Sequence, residues 1–269
     1  AIISEWGCPK YSIEAGFHMD FLLKSGKQHY WELFRSEHPY FAKEGKGDIS
    51  EFVNNFNIDY EQTDGKGLIC IPSSNHDISR ITEELNAEEI KIAFSFILSM
   101  PGAPFLYYGD EIAMKNLKGL TPVEGSEERI QSRTPMQWND KENAGFTTGT
   151  PWLGVNANYK KINAESQIND PDSVRSFYKK LIALRKNPEY KETVVYGALE
   201  PVWEDVHNLM AYYRKGDKTL LVVGNYQKEP QTIELAGECK KVLINNYDDV
   251  AMDGNKIELK GYQFLVIEM

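Results

Sequence analysis

The chain has 269 residues, 41% of them hydrophobic and 12% aromatic, enough for one large domain or two modest ones with a real core. Its formal charge of −10, with Lys and Arg scattered rather than clustered, excludes nucleic acid and anionic membrane surfaces as partners, and no apolar run approaches the roughly 18 residues of a spanning helix. The three cysteines, Cys8, Cys70 and Cys239, share no metal-like spacing and read as reduced, mostly buried thiols, which points to a reducing, cytoplasmic setting.

The first residues, Ala1-Ile2-Ile3-Ser4-Glu5-Trp6-Gly7, read as the end of a buried strand. Such a strand delivers a carboxylate and an indole to its C-terminal tip, as (β/α) barrels do with catalytic groups. No lead-in precedes it, so the sequence is expected to open halfway through a domain. Residues 17–23 suit a second strand, and 27–34 and 49–60 suit helices. The next strand, Gly67-Leu68-Ile69-Cys70-Ile71-Pro72, runs into Ser73-Ser74-Asn75-His76-Asp77 and makes Asp77 a second strand-end acid. Asn86, with Glu89 three residues on, has the spacing of a capping box. Ile90, Ala93, Phe94, Ile97 and Leu98 then recur on one helical face until Pro101-Gly102 stops the helix.

The strand Pro104-Phe105-Leu106-Tyr107-Tyr108 follows. Residues 115–170 are rich in Gly, Asn, Thr and Pro and read as long functional loops. Asp170 and Pro171 fit the cap and first position of a helix, with an apolar stripe at Val174, Phe177, Leu181 and Ile182. From about residue 190 the pattern becomes that of strands, at 209–213, 219–223, 232–235, 241–244, 256–259 and 264–267. Gly216-Asp217 and Asp253-Gly254 mark turns between them. An α/β region over 1–188 followed by an antiparallel β-sandwich over 189–269 is the expected organisation.

Three runs carry a resemblance: Ser74-Asn75-His76-Asp77; Pro101-Gly102-Ala103-Pro104-Phe105-Leu106-Tyr107-Tyr108-Gly109-Asp110-Glu111-Ile112; and Arg133-Thr134-Pro135-Met136-Gln137-Trp138, continued by Asn143-Ala144-Gly145-Phe146-Thr147. In this order they resemble the α-amylase family of retaining glycoside hydrolases, in its oligo-1,6-glucosidase and α-glucosidase branch. The resemblance implies strands five to eight of a (β/α)8 TIM barrel, then a C-terminal sandwich. It implies that Glu5, at the end of the fifth strand, is the general acid/base, and that His76 and Asp77, after the seventh, hold sugar hydroxyls. The nucleophilic aspartate belongs to a fourth strand that the chain lacks, so the chain is expected to be inactive alone. The missing half, or a second copy, is the expected protein partner, and an oligosaccharide the expected substrate. No cofactor and no metal are implied. Two local departures concern bond preference: Ile130-Gln131-Ser132 stands where an Asp-Asn pair is common, and Ile78 where glutamine is common.

Retaining hydrolysis of a glycosidic bond needs two carboxyls about 5–5.5 Å apart. One attacks carbon, and the other donates a proton and so needs a raised pKa. Glu5 is the candidate donor, against the plainer reading of a solvated strand-end glutamate. Asp77 is the candidate second acid and hydroxyl holder, against a helix cap, and His76 a hydroxyl partner, against a core histidine. Arg133 reaches either a substrate hydroxyl or a catalytic carboxylate, or forms a structural ion pair. Trp6, Trp138, Phe146 and Trp152 stack on sugar faces or pack in the core. Arg80 reads as structural, paired with an acid beneath the site. Asp110 and Glu111 read as cap and loop residues, and the charged run 124–129 as solvated surface. Competing functions are a non-catalytic amylase-like partner module, a sugar-binding module, and transglycosylation or sucrose isomerisation on the same site.

Overall fold

The computed structural model describes residues 1–22, 30–37, 39–41, 49–121, 123, 130–204, 206 and 209–269. The expected helix start at 27–29, Leu23 and the run 124–129 lie outside them. Strands and helices alternate from the start: β1 (Ile3–Ser4), α1 (Pro9–Glu14), β2 (Met19–Phe21), α2 (Tyr30–Phe34), α3 (Ile49–Gln62), β3 (Leu68–Pro72), α4 (Ala87–Ser99) and β4 (Ala103–Phe105). The four strands form one parallel sheet in sequential order, pairing Ile3 with Met19, Met19 with Leu68 and Cys70 with Ala103. Parallel neighbours need crossover connections, and α1, α3 and α4 lie in them. All four strands therefore end on one rim. β3 is buried along most of its length, as the unbroken apolar run requires of a strand covered on both faces.

α4 carries the expected capping box. The Asn86 side chain accepts from the Glu88 and Glu89 amides, and the Glu89 carboxylate accepts from the Asn86 amide at 2.8 Å. The chain turns extended at Met100, as the residue before a proline must. Gly102 then has φ +95°, and a Cβ there would lie 2.3 Å from the Ile69 carbonyl oxygen, so only glycine fits between β3 and β4.

After β4 the described residues form loops and short turns up to α5 (Ala164–Gln167), then α6 (Val174–Lys186) and α7 (Lys191–Tyr196). The cap of α6 is Ser173, whose hydroxyl accepts from the Ser176 amide at 3.1 Å. Asp170 instead closes a turn upstream by accepting from the Asp172 amide at 2.9 Å. Pro171 fits that turn equally well, which is why the sequence places the helix start three residues early. Val174, Phe177 and Leu181 are buried as expected, and so is Tyr178, which shares their face.

The remainder is β5 (Ala198–Pro201), β6 (Leu209–Lys215), β7 (Thr219–Asn225), β8 (Gln231–Glu234), β9 (Lys241–Asn245), β10 (Ala251–Asp253), β11 (Lys256–Leu259) and β12 (Phe264–Glu268). They form a five-stranded antiparallel sheet, β5-β6-β7-β12-β9, and a three-stranded one, β10-β11-β8. One face of the larger sheet, with Leu209, Leu221, Val223, Leu265 and Ile267, packs on Ile233, Ile257 and Leu259 of the smaller. Its other face, with Met210, Tyr212, Val222, Phe264 and Val266, joins a core that runs through Phe94 and Phe96 of α4 and Phe177 of α6. Two-residue alternation along β6 and β12 thus serves two cores at once.

A buried arginine fastens this second face. Arg214 donates to the carbonyls of Ser99 at 2.6 Å, Val194 at 2.7 Å and Gly197 at 2.8 Å. Tyr212 and Ser99 share a hydroxyl hydrogen bond of 2.7 Å. Arg185 on α6 likewise caps α4 through the carbonyls of Leu98 and Met100. Burial pushes both guanidinium pKa values down to about 10.

Candidate active site

Glu5 and Trp6 follow β1 directly, and Trp6 is 63% exposed. The loop that carries them is tied down by Asp20 of β2, which is wholly buried. Its Oδ1 accepts from the Trp6 amide at 3.1 Å and the Gly7 amide at 3.4 Å, and its Oδ2 from the Cys8 amide at 2.8 Å and the Ser12 hydroxyl at 3.1 Å. A carboxylate that gathers successive amides fixes a tight turn. The turn directs the residues just past β1 to the rim.

On the same rim, β3 leads into Asn75, whose side-chain oxygen accepts from the amides of Asp77 at 2.8 Å and Ile78 at 2.9 Å. This local turn takes the place of a helix start, so Asp77 is no helix cap. Arg133 grips the loop from outside. Its Nε donates to the His76 carbonyl at 2.9 Å and its Nη2 to Asp77 Oδ1 at 3.2 Å. His76 Nε2 stands 3.6 Å from the same oxygen. The His76 side chain is 62% exposed and that of Asp77 35%, so both remain open to a ligand.

Arg80 lies beneath, fully buried, and bonds Asp110 Oδ1 at 3.2 Å and the Ser132 carbonyl at 2.9 Å. The rings of Tyr107 and Tyr108 sit 4.9 and 4.8 Å from its guanidinium. The acid beneath the site is therefore Asp110, a buried ion-pair partner rather than a cap. Burial raises its pKa, against the Arg80 guanidinium and the hydroxyls of Ser74 and Ser73. Removing one partner of such a pair leaves a buried charge uncompensated. Arg35, from the turn after α2, supports the other side through the carbonyls of Ser73 and Ser79 and the Ser74 hydroxyl.

Of the predicted site residues, the structure brings Arg133, Asp77 and His76 into one cluster. It sets Glu5 and Trp6 on the loop after β1, two strands away on the same rim. Asp20 and Arg35 escape sequence reasoning. A lone acid in the apolar stretch Phe17-His18-Met19-Asp20-Phe21 was the one available signal for the first. The cysteines are all free, Cys8 exposed and Cys239 half-buried, so only Cys70 meets the expectation of mostly buried thiols. Among the described residues no three His, Cys, Asp or Glu side chains group as metal ligands, and no helix is long and apolar enough to cross a membrane.

Residues 19–197 match the α-amylase catalytic domain, and 209–266 match the C-terminal domain of the α-amylase SusG. The oligo-1,6-glucosidase of Parageobacillus thermoglucosidasius is 32% identical over 292 residues, covering 94% of this chain and 49% of that protein. The trehalose-6-phosphate hydrolase of Bacillus subtilis (strain 168) is 30% identical over 246 residues, covering 76% of this chain and 43% of that protein. Among solved structures, the trehalose-6-phosphate hydrolase of Bacillus licheniformis superposes with a TM-score of 0.77 at 29% identity, covering 97% of this chain and 53% of that one. The isomaltulose synthase of Klebsiella sp. LX3 gives 0.74 at 26% identity, covering 94% and 51%. The chain thus spans about half the length of the relatives it matches. It belongs to the α-amylase family, with that family's TIM-barrel fold and C-terminal β domain.

Proposed function

We propose that this member of the α-amylase family is the later half of a retaining α-glucosidase-type hydrolase acting on short α-glucans or oligosaccharides. β1 to β4 then correspond to barrel strands five to eight, and the division into barrel and sandwich falls near residue 188. Glu5 protonates the leaving oxygen and later deprotonates the incoming water. Asp77 and His76 hold ring hydroxyls and favour the positively charged, distorted sugar of the transition state. Arg133 fixes Asp77, and Trp6 covers the sugar. The nucleophile comes from a partner half, so the chain alone does not turn over. The observation that carries the reading is that two acid-bearing loops follow strands ending on one rim of a parallel sheet, with Asp77 pinned by Arg133.

The test is hydrolysis of a chromogenic α-glucoside. The chain alone is expected to stay at the blank rate. Co-expressed with the upstream coding sequence, it is expected to turn over at a rate that Glu5→Gln lowers at least a thousandfold, on the order of a lost general acid plus its contacts. Unchanged turnover in Glu5→Gln refutes the assignment. The likeness to an isomaltulose synthase keeps sugar transfer as a second reading, separated from hydrolysis by product analysis on sucrose.

A further inference from the structure

The loop that carries His76 and Asp77 is fastened from below by one carboxylate. Asp110 stands in the turn after β4 and is wholly buried. Its two oxygens serve opposite ends of the loop. Oδ2 accepts from the Ser73 hydroxyl at 2.8 Å, and Oδ1 from Arg80 Nη1 at 3.2 Å. The Ser74 hydroxyl also bonds this carboxyl, while its oxygen accepts from the Ile81 amide at 2.8 Å and ties the loop's start to its exit. Arg80 carries the link further. Its Nη2 donates to the carbonyl of Ser132, the residue before Arg133, at 2.9 Å. Arg133 then clamps the loop through the His76 carbonyl and Asp77 Oδ1. Hydrogen bonds thus run from Asp110 to Asp77 by two routes, along the loop itself and through its clamp. Ser73, Ser74, Arg80 and Asp110 are each at most 3% exposed, so the arrangement depends on no free surface. The loop after β1 is held in the same manner, by Asp20 on the adjacent strand β2, as β4 is adjacent to β3.

We infer that Asp110 is a positioning residue for the site: it sets where the Asp77 carboxylate stands and how Arg133 meets it. This role deepens the hydrolase reading and rests on it. A plain charge partner for Arg80 needs one oxygen facing one guanidinium. Here hydroxyl and guanidinium donors from both ends of a loop converge on one carboxylate, which accepts at both oxygens in fixed directions. Buried polar networks of this kind stiffen what they join. The loop's other brace is internal. Asn75 Oδ1 holds the Asp77 and Ile78 amides, which shapes the turn without fixing its place on the rim. Asp110 supplies that second constraint. A carboxylate that favours developing positive charge must be in place before the reaction, and a displacement of about 1 Å costs about a hundredfold in rate.

NMR spectroscopy of this chain tests the role without any sugar. The Arg133 Nε–H, bonded to the His76 carbonyl, gives a cross-peak identified by its loss in Arg133→Lys. Asp110→Asn should move that peak towards those of solvated arginines. It should also speed exchange of the Asp77 and Ile78 amides about tenfold, while the amides of α4 keep the parent's rates. Ser73→Ala combined with Ser74→Ala removes the hydroxyl arms, leaves the ion pair and should act in the same direction; it decides the matter if the asparagine variant does not fold. An unchanged peak and unchanged loop exchange in the folded variants overturn the role, because the loop then holds itself. A rise in exchange shared equally by α4 overturns it too, because Asp110 then only stabilises the fold. Turnover of a chromogenic α-glucoside, with the upstream coding sequence co-expressed, separates this from the hydrolase reading. A lost signature with kcat lowered about a hundredfold supports both. A lost signature with unchanged turnover leaves Asp110 positioning the loop and removes Asp77 from the reaction.

Discussion

Replacing Asp20 with asparagine tests whether one buried carboxylate sets the loop that carries Glu5 and Trp6. The carboxylate accepts four hydrogen bonds, two at each oxygen. An asparagine keeps one acceptor and turns the other position into a donor. If its oxygen takes the Trp6 and Gly7 amides, the amino group faces the Cys8 amide, which donates at 2.8 Å in the native site. The Ser12 hydroxyl can rotate to Ser4 Oγ, 3.1 Å away, so its loss is largely recovered. The Cys8 amide has no such alternative, and a bond to a charged acceptor is worth about 1.5–3 kcal/mol. Asp20→Asn should therefore destabilise the chain by about 2–3 kcal/mol, or roughly 4–5 °C in Tm at this size. Thermal denaturation followed by circular dichroism reads the shift. Limited proteolysis should find new cleavage close to Trp6, since the turn loses its anchor. A Tm change below about 1 °C, with no new cleavage, would show that the turn holds itself and that Asp20 does not position the rim.

Gly102→Ala should cost roughly 2–4 kcal/mol, because it combines a left-handed backbone with a Cβ 2.3 Å from the Ile69 oxygen; a neutral melt would mean that β3 and β4 part easily. Arg214→Met should cost about 3 kcal/mol by leaving the carbonyls of Ser99, Val194 and Gly197 without their donor, measured by urea denaturation. Thiol labelling of the native chain should modify exposed Cys8 first and Cys70 only on unfolding. Burial pushes the Cys70 thiol up to about 12 from 9.0, so the unfolded chain ionises first and this contribution to stability is lost as pH rises from about 9 towards 12; Cys70→Ala should flatten that alkaline loss. The Glu268 carboxyl is held below its ordinary value by hydrogen bonds from Tyr190 and Lys218. Its stabilisation is present above the unfolded carboxyl pKa and lost as pH falls through the folded one, and Glu268→Gln should blunt the acid limb of a Tm-against-pH profile.

Much of this architecture can be read from local pattern. Asn86 and Glu89 predict their capping box because the motif is complete within four residues. Asp253-Gly254 predicts its hairpin because left-handed φ at Gly254 is a local demand. The strands of the tail follow from alternation, although β6 and β12 bury both faces and hide part of it. Asp170 misleads because a turn and a helix cap use the same side-chain oxygen in the same way. The site divides similarly. His76 and Asp77 stand together in sequence, but Arg133 meets them across 56 residues, and the Asp20 contacts depend on how β1 and β2 pair. Long-range polar contacts leave no period to detect, so a resemblance can point to their members while only coordinates join them.

The partners chosen by Arg214 carry a lesson for grafting. All three are main-chain oxygens, which every residue type offers. The side chains at Ser99 and Val194 can thus drift without unseating the guanidinium, so long as the bends that expose those oxygens persist, whereas position 197 must stay glycine, because a Cβ there would lie 2.4 Å from the Thr193 carbonyl oxygen. A tail exchanged between cousins should seat properly when the donor brings its own arginine, and should rattle when it does not.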